Sequence, residues 1–364
     1  MTFDDWHTWG GSKNNTLLIA GPCSAESPGQ LTQVASHLYG MGIGIMRAGV
    51  WKPRTRPNSF EGKGVEALKW LQGLKQQIPI KIATEVATPQ HAEAALAHQV
   101  DVLWLGARTT VNPFLVQEIA NALQGADLPV LIKNPINPDL ALWQGAIERM
   151  YNSGKKKVAA VHRGFSTYQK SKFRNIPSWQ IAIELKSNFP SLPLICDPSH
   201  IAGKRQMILE VSQKALDLGY DGLMIEAHPQ PGEALSDADQ QVGLEALSQI
   251  IGQLRFAKKH SNDVVFISQL EQLREKIDQI DQELIEVLSI RKQLIEKIGD
   301  YKKENNVTVF QLERWNEILQ SRTIWGKDKS LAGEFIQELY KTIHDESIRI
   351  QTGIMNKENE NKKE

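Results

Sequence analysis

Hydrophobic residues in the first 255 positions come in short runs, separated by longer stretches with helical spacing. The runs lie at 16–23, 43–49, 80–86, 102–107, 130–134, 158–162, 192–197 and 222–227. Each is nearly continuous in apolar side chains, the pattern of a strand buried on both faces. The stretches between them include 89–98 and 204–218, and Pro89 and Pro113 stand where a proline opens a helix. Eight strand–helix units in about 240 residues is the arithmetic of a (β/α)8 barrel. A doubly wound open sheet is the alternative. No GxGxxG follows the first run, which weighs against the dinucleotide-binding form of that sheet.

Near Phe256 the pattern changes. AKKHSNDVVF is a polar connector with a small apolar patch, and only helical spacing follows it. Leu270, Leu273, Ile277, Ile280, Leu284 and Val287 repeat at alternating three- and four-residue steps, an amphipathic seam of near-heptad period. The helix predicted over 268–304 has no Pro and a single Gly, Gly299. It would span about 55 Å at 1.5 Å per residue. Two shorter helices, at 312–325 and 330–350, cannot cover that seam. It therefore predicts a second copy of the chain, and so a homodimer. The expected division is an α/β (β/α)8 TIM barrel over 1–256, a linker over 257–266, an all-α three-helix domain over 267–355 and a disordered, charged tail over 356–364. No internal repeat is visible.

Composition narrows the function classes. Hydrophobic residues make up 41% and charged residues 23%, ordinary for a globular chain. Lys+Arg and Asp+Glu both number 42, a balance that argues against nucleic acid or an anionic membrane as partner. No apolar run approaches the roughly 18 residues of a membrane span. The opening MTFDDWHTWGGSK has acidic residues and no apolar core, so it does not read as a signal peptide. Two cysteines exclude a disulfide framework and suit a reducing compartment, so a cytoplasmic location is expected.

Barrel enzymes place their chemistry where strands end, and polar residues gather at the ends of these runs. Cys23, His200, Glu226 and Asp237 come from separate ends and form a candidate divalent-metal set. Mixed S, N and O donors allow Mn, Fe, Co or Zn without choosing among them. The competing reading is a buried free thiol, which suits Cys196 inside a run better than Cys23. His228 shares a strand face with Glu226 and either ligates or supports. A second constellation is cationic: Arg47, Lys52, Arg54, Arg108, Lys133 and Arg163. Six cations at neighbouring ends imply substrates with several negative charges. A solvated rim, the bland alternative, suits Lys155-Lys156-Lys157 instead.

GPCSAES, MRAGVWKPRTRPNSFEG, ATEV, LGART, IKNP, HRGF, DPSH and the EAHP…ALSDADQQ segment resemble the shorter subfamily of 3-deoxy-D-arabino-heptulosonate-7-phosphate synthases over about residues 10–255. That resemblance implies a (β/α)8 barrel condensing phosphoenolpyruvate with erythrose 4-phosphate, the first step of the shikimate pathway, with a divalent metal. It implies Cys23, His200, Glu226 and Asp237 as metal ligands. It implies Arg47, Lys52, Arg108, Lys133 and Arg163 as phosphoenolpyruvate contacts, and Lys52, Pro53, Arg54 and Thr55 as erythrose 4-phosphate contacts. Glu85 is assigned to orienting water and Lys133 to donating a proton. The nearest rival is 3-deoxy-manno-octulosonate-8-phosphate synthase, which carries a different, Asn-containing loop where this chain has KPRT. A non-enzymatic phosphosugar-binding barrel is disfavoured by the complete ligand set.

In the helical segment, Arg291, Ile295, Ile298 and Lys302 share one face, cations bracketing an apolar stripe. That suits a small apolar ring bearing anions. Arg274 lies about 100° around the helix from Arg291, pointing to another site or chain. Ser347 and Gln351 share a face of the last helix. Each cation alone reads more readily as a snorkelling surface residue. LREKIDQIDQELIEVLSIRKQLIEKIGDYKK, with ERWNEIL and HDESIRIQ, resembles the all-helical chorismate mutases over about 267–355. The resemblance implies an intertwined dimer that rearranges chorismate to prephenate without cofactor. Arg274, Arg291, Lys302, Arg314, Ser347 and Gln351 would form its pocket, with Arg274 entering the partner's. Gln311 and Trp315 depart from the Asp and Glu of many relatives, and Trp315 cannot accept a hydrogen bond. The reading is therefore a bifunctional enzyme whose helical domain feeds back on the barrel. The alternative is a synthase with a weak or inactive mutase-like domain serving as sensor and dimerisation module.

Overall fold

The computed structural model describes residues 1–9, 12–13, 15–52, 60–168, 171–256 and 263–356. The chain divides into two compact units, Met1–Lys259 and His260–Glu364. The strands of the first unit are β1 (Ser12–Lys13), β2 (Thr16–Gly21), β3 (Ile45–Arg47), β4 (Lys81–Val86), β5 (Val102–Leu105), β6 (Val130–Lys133), β7 (Val158–His162), β8 (Leu194–Cys196) and β9 (Gly222–Glu226). Its helices are α1 (Pro28–Gly40), α2 (Val65–Lys75), α3 (Pro89–Ala97), α4 (Ala107–Thr110), α5 (Pro113–Ala122), α6 (Leu140–Asn152), α7 (Trp179–Asn188), α8 (Pro198–Ala202), α9 (Ile208–Asp217) and α10 (Leu244–Gln253).

β2 to β9 are parallel and neighbour one another in sequence order. β9 pairs back onto β2, Leu17 opposite Gly222 and Gly21 opposite Glu226. That closure makes an eight-stranded barrel and excludes the open sheet. All eight apolar runs supply a strand. β1, which no run announced, is a two-residue antiparallel addition with Lys13 opposite Thr16. Pro89 and Pro113 open α3 and α5, with the Thr88 and Asn112 side chains accepting from the amides of His91 and Leu115. The 204–218 stretch is a 3-10 turn, Arg205–Met207, followed by α9.

Strand alternation separates two cores. Leu17, Ile19, Val102, Trp104, Leu131 and Met224 belong to a cluster inside the barrel, whereas Leu18 and Ala20 pack outward with the helices. Trp6 and Trp9 join the inner cluster from a turn ahead of β1. Lys81, the first residue of β4, donates to the Trp9 carbonyl. The tryptophans thus close the end where strands begin, and the far end is left to polar side chains.

The second unit is α11 (Val264–Glu304), α12 (Leu312–Asp328) and α13 (Gly333–Asn356), with α13 packed against both others. Gly299 and Gly326 permit that approach, since a Cβ would strike Ile354 from one and Ile336 from the other. α11 begins four residues before the expected start, because the Asp263 carboxylate caps the amides of Val265 and Phe266. Its seam stands open in a single chain: Leu273, Ile277, Ile280, Leu284 and Val287 are 54–61% exposed. Pro53, Arg54 and Thr55, most of the expected linker and all but the first residue of the expected tail lie outside the described residues. No helix among those described is long and apolar enough to cross a membrane.

Candidate functional site

Each barrel strand hands one polar side chain to the open end. β2 leads to Cys23, whose Sγ lies with carboxylate oxygens of Glu226, the last residue of β9, and Asp237, all within 4.8 Å of one another. His200 on α8 is not part of that grouping. Its Nδ1 is 2.8 Å from Asp197 Oδ2 and 3.9 Å from Glu226 Oε1. Three of the four expected ligands are therefore gathered and the fourth borders them. A thiol and two carboxylates so close repel one another when ionised, and a divalent cation resolves that repulsion. Burial, with the charges of Glu226 and Asp237, pushes the Cys23 thiol up to about 12, while Lys52 opposes the rise. Lys52 Nζ donates to Cys23 Sγ at 3.2 Å, and the thiol faces Asp237 Oδ2 at 3.4 Å.

The cations sit directly beside this cluster. Arg47, at the end of β3 and fully buried, donates to Glu226 Oε1 at 2.8 Å and lies 5.1 Å from the Trp104 ring centroid. Its Nε and Nη1 have no hydrogen-bond partner among the described residues. Nη1 faces Asp197 Oδ2 only at 3.9 Å, so both buried donors keep hydrogen-bonding capacity for a further anion. Lys133, ending β6, donates to Asp197 Oδ2 at 2.7 Å. Burial pushes the Asp197 carboxyl up, but His200, Lys133 and Arg47 more than offset this and hold it well below the usual range. Burial likewise lowers Arg163, just past β7, to about 10; its Nη1 meets Asn175 Oδ1 at 2.9 Å. Arg108 is exposed on α4. Glu85 on β4 accepts from Trp104 Nε1 at 3.2 Å, and Gly106 leaves the room its carboxylate occupies. His228 Nε2 is 3.6 Å from Glu26, a supporting position.

Sequence reading overlooked four members of this network. Asp197 was visible in DPSH but given no role. Trp104 read as one more apolar strand residue. Arg174, which donates to Asp237, sits in a loop without a pattern, and Gln240, which donates to Glu226, stands on the 3-10 turn Ala238–Gln240 inside the ALSDADQQ segment without a role assigned.

The helical unit holds a second cavity of about 530 Å³. Arg291, Ile295, Ile298 and Lys302 of α11, Arg314 and Trp315 of α12, and Ser347 and Gln351 of α13 all line it, and among the described residues no Asp or Glu does. Arg291 Nη1 donates to Ser347 Oγ at 2.8 Å, and Lys302 Nζ to the Val309 carbonyl at 2.6 Å. Burial lowers both Arg291 and Lys302 from their ordinary values. Arg274 is absent from the lining; it is exposed and pairs with Glu271 at 2.6 Å. Gln311 and Trp315 do line the cavity, and Trp315 spends its ring in a stack on His344, 4.1 Å between centroids.

Residues 5–261 match the DAHP synthetase I family. The chain belongs to that family. Residues 273–352 match chorismate mutase type II, so the chain joins a transferase and an isomerase. A phospho-2-dehydro-3-deoxyheptonate aldolase of Thermotoga maritima is 30% identical over 238 residues, 65% of this chain and 68% of its own. A 2-dehydro-3-deoxyphosphooctonate aldolase of Vesicomyosocius okutanii is 26% identical over 271 residues, 67% of this chain and 92% of its own. The crystal structure of the Thermotoga heptonate aldolase (DAHP synthase) superposes with a TM-score of 0.58 at 28% identity, covering 65% of this chain and 67% of that one.

Proposed function

We propose that residues 1–256 condense phosphoenolpyruvate with erythrose 4-phosphate, and that residues 267–355, joined by 257–266, rearrange chorismate to prephenate. The observation carrying the first activity is the buried Cys23–Glu226–Asp237 cluster bordered by Lys52, Arg47 and Lys133. The family is generally metal-dependent, and the donor set fits a divalent ion: Cys23, Glu226 and Asp237 would hold it, with His200, whose Nδ1 lies against Asp197, as the fourth donor. When bound, that ion supplies Lewis acidity toward the aldehyde oxygen of the four-carbon sugar. Arg47, Arg108, Lys133 and Arg163 bind the phosphate and carboxylate of phosphoenolpyruvate, and Lys52 bridges the two substrates. Lys52, Pro53, Arg54 and Thr55 take the erythrose phosphate. Neutralising these anions lets C3 of the enol attack the aldehyde carbon. Water oriented by Glu85 adds at C2, Lys133 donates a proton, and inorganic phosphate leaves.

The two aldolase relatives differ in sugar length, and KPRT favours the four-carbon substrate. Product analysis with erythrose 4-phosphate against arabinose 5-phosphate separates them: turnover of only the five-carbon sugar overturns the assignment.

In the helical unit, an acid-free cavity lined by cations fits a dianion with an apolar ring. Arg291, Arg314 and the partner's Arg274 take the two carboxylates, Ser347 supports Arg291, and Lys302 and Gln351 face the ether oxygen. The open seam of α11 supports a homodimer. Prephenate bound there would regulate the barrel by favouring one arrangement of the chain over another. Trp315 and Gln311 favour a second reading, a sensing module with little mutase activity; chorismate turnover by the full chain decides. Both activities are assigned to the cytoplasm, where phosphoenolpyruvate is made.

A further inference from the structure

We propose that His344 is a specificity-determining residue of the helical pocket, its imidazole Nε2 hydrogen-bonding the ring hydroxyl of chorismate. This rests on the mutase reading and identifies what serves where Trp315 cannot. Chorismate offers two carboxylates, an ether oxygen and one hydroxyl. The cations of the pocket are donors only. They answer the carboxylates and the ether, but none can accept the hydroxyl proton, and among the described residues no Asp or Glu lines the cavity. Of the two lining amides, Gln311 is exposed, and Gln351, whose Oε1 is also buried without a partner among the described residues, is committed to the ether oxygen.

His344 supplies that acceptor. It lines the cavity, and its Nε2 is buried without a partner among the described residues. A buried, unpaired ring nitrogen is costly unless a ligand completes it. The ring is also held in place: it stacks on Trp315 at 4.1 Å and 20°, with Phe310 edge-on at 6.0 Å and 65°. Residues 344, 347 and 351 stand at i, i+3 and i+7 on α13, so His344 extends the polar face that already carries Ser347 and Gln351. Ser347 Oγ is engaged, accepting from Arg291 and donating to the Ile343 carbonyl. Burial favours the neutral imidazole, the form with an acceptor nitrogen. Arg291 and Lys302 on α11 push the same way, against Asp345 on α13. On this view Trp315 acts through His344, as the flat surface that fixes its ring.

The test compares parent, His344→Phe and His344→Gln in the full chain. The substrates are chorismate and an analogue bearing hydrogen in place of the ring hydroxyl. Phenylalanine keeps the stack and deletes both nitrogens; glutamine returns a polar amide near the Nε2 position. The Phe variant should lose about 10- to 100-fold in kcat/KM for chorismate, the cost of an unpaired buried group. Its loss on the analogue should be under about twofold, and the Gln variant should recover most of the chorismate rate. Equal losses on both substrates mean a packing role and overturn the proposal, as does a Phe variant at the parent rate. A parent chain that does not convert chorismate removes the mutase reading itself, and this proposal with it.

Discussion

Two inactive chains, combined, should give an active mutase. Arg274 and Arg291 lie seventeen residues apart on one uninterrupted helix, α11. The axial separation is about 25 Å at 1.5 Å per residue, several times the reach of an arginine side chain. Arg274 therefore cannot serve the pocket of its own chain. The seam around it supplies the means to reach another. Leu273, Ile277, Ile280, Leu284 and Val287 are each more than half exposed, and covering them on two chains releases about 10 kcal/mol before association costs. Replacing Lys302 with alanine removes a charge beside a developing oxyanion, about a 10²- to 10³-fold loss. Replacing Arg274 with alanine removes a carboxylate partner, about 10- to 100-fold. In a two-fold dimer of one chain of each kind, one pocket carries both substitutions and the other carries neither. Random pairing makes half the dimers mixed, so about a quarter of all pockets are intact. Chorismate consumption by co-expressed Arg274→Ala and Lys302→Ala chains should reach about a quarter of the parent rate, against about a tenth or less for either alone. If the mixture only matches the average of the two separate variants, the shared pocket is wrong.

Stripping divalent ions should abolish heptulosonate phosphate formation and added Mn should restore it; a Cys23→Ala chain fully active after chelation would sink the metal assignment. Prephenate should slow the synthase of the full chain but not of an Arg291→Ala chain, and equal rates with and without prephenate in the parent would reduce the fusion to a tether. His162, fully buried between Tyr220 and the Pro177 carbonyl, is lowered to about 4 by burial. Its unfolded value is near 6.5, so the unfolded chain takes up the proton first and stability falls as pH drops from about 6.5 to 4, by about 3 kcal/mol from this group. Urea unfolding of the parent and His162→Asn at pH 7 and pH 5 checks this, and identical pH slopes would refute it.

The strands were legible because burial on both faces leaves no room for polar positions, so each run stood out whole. The reactive ends were legible for the same reason: Arg47, Lys133 and Arg163 interrupt or follow apolar runs where only function explains a charge. What sequence could not give is who meets whom. Cys23 and Glu226 come together because β2 pairs with β9, with Gly21 opposite Glu226, a contact made by barrel closure across most of the domain. Asp197 escaped notice because its significance lies in its neighbours: Lys133 and Arg47 arrive from other parts of the chain to join His200 three residues on, and only their convergence makes one carboxylate the hub of the cations.

The helical unit shows the same limit at shorter range. The sequence marked Trp315 as a lost acceptor. His344 opens the HDESIRIQ segment a helix away, but nothing in the sequence gives it a role. Their stacking is a property of how α12 and α13 cross, and Gly326, which leaves space for Ile336, helps set that crossing. A substitution that deletes a hydrogen-bonding group is thus only half described by its own position. The other half is whichever neighbouring group the new side chain orients, and here the flat face of Trp315 holds an imidazole whose buried Nε2 has no partner among the described residues.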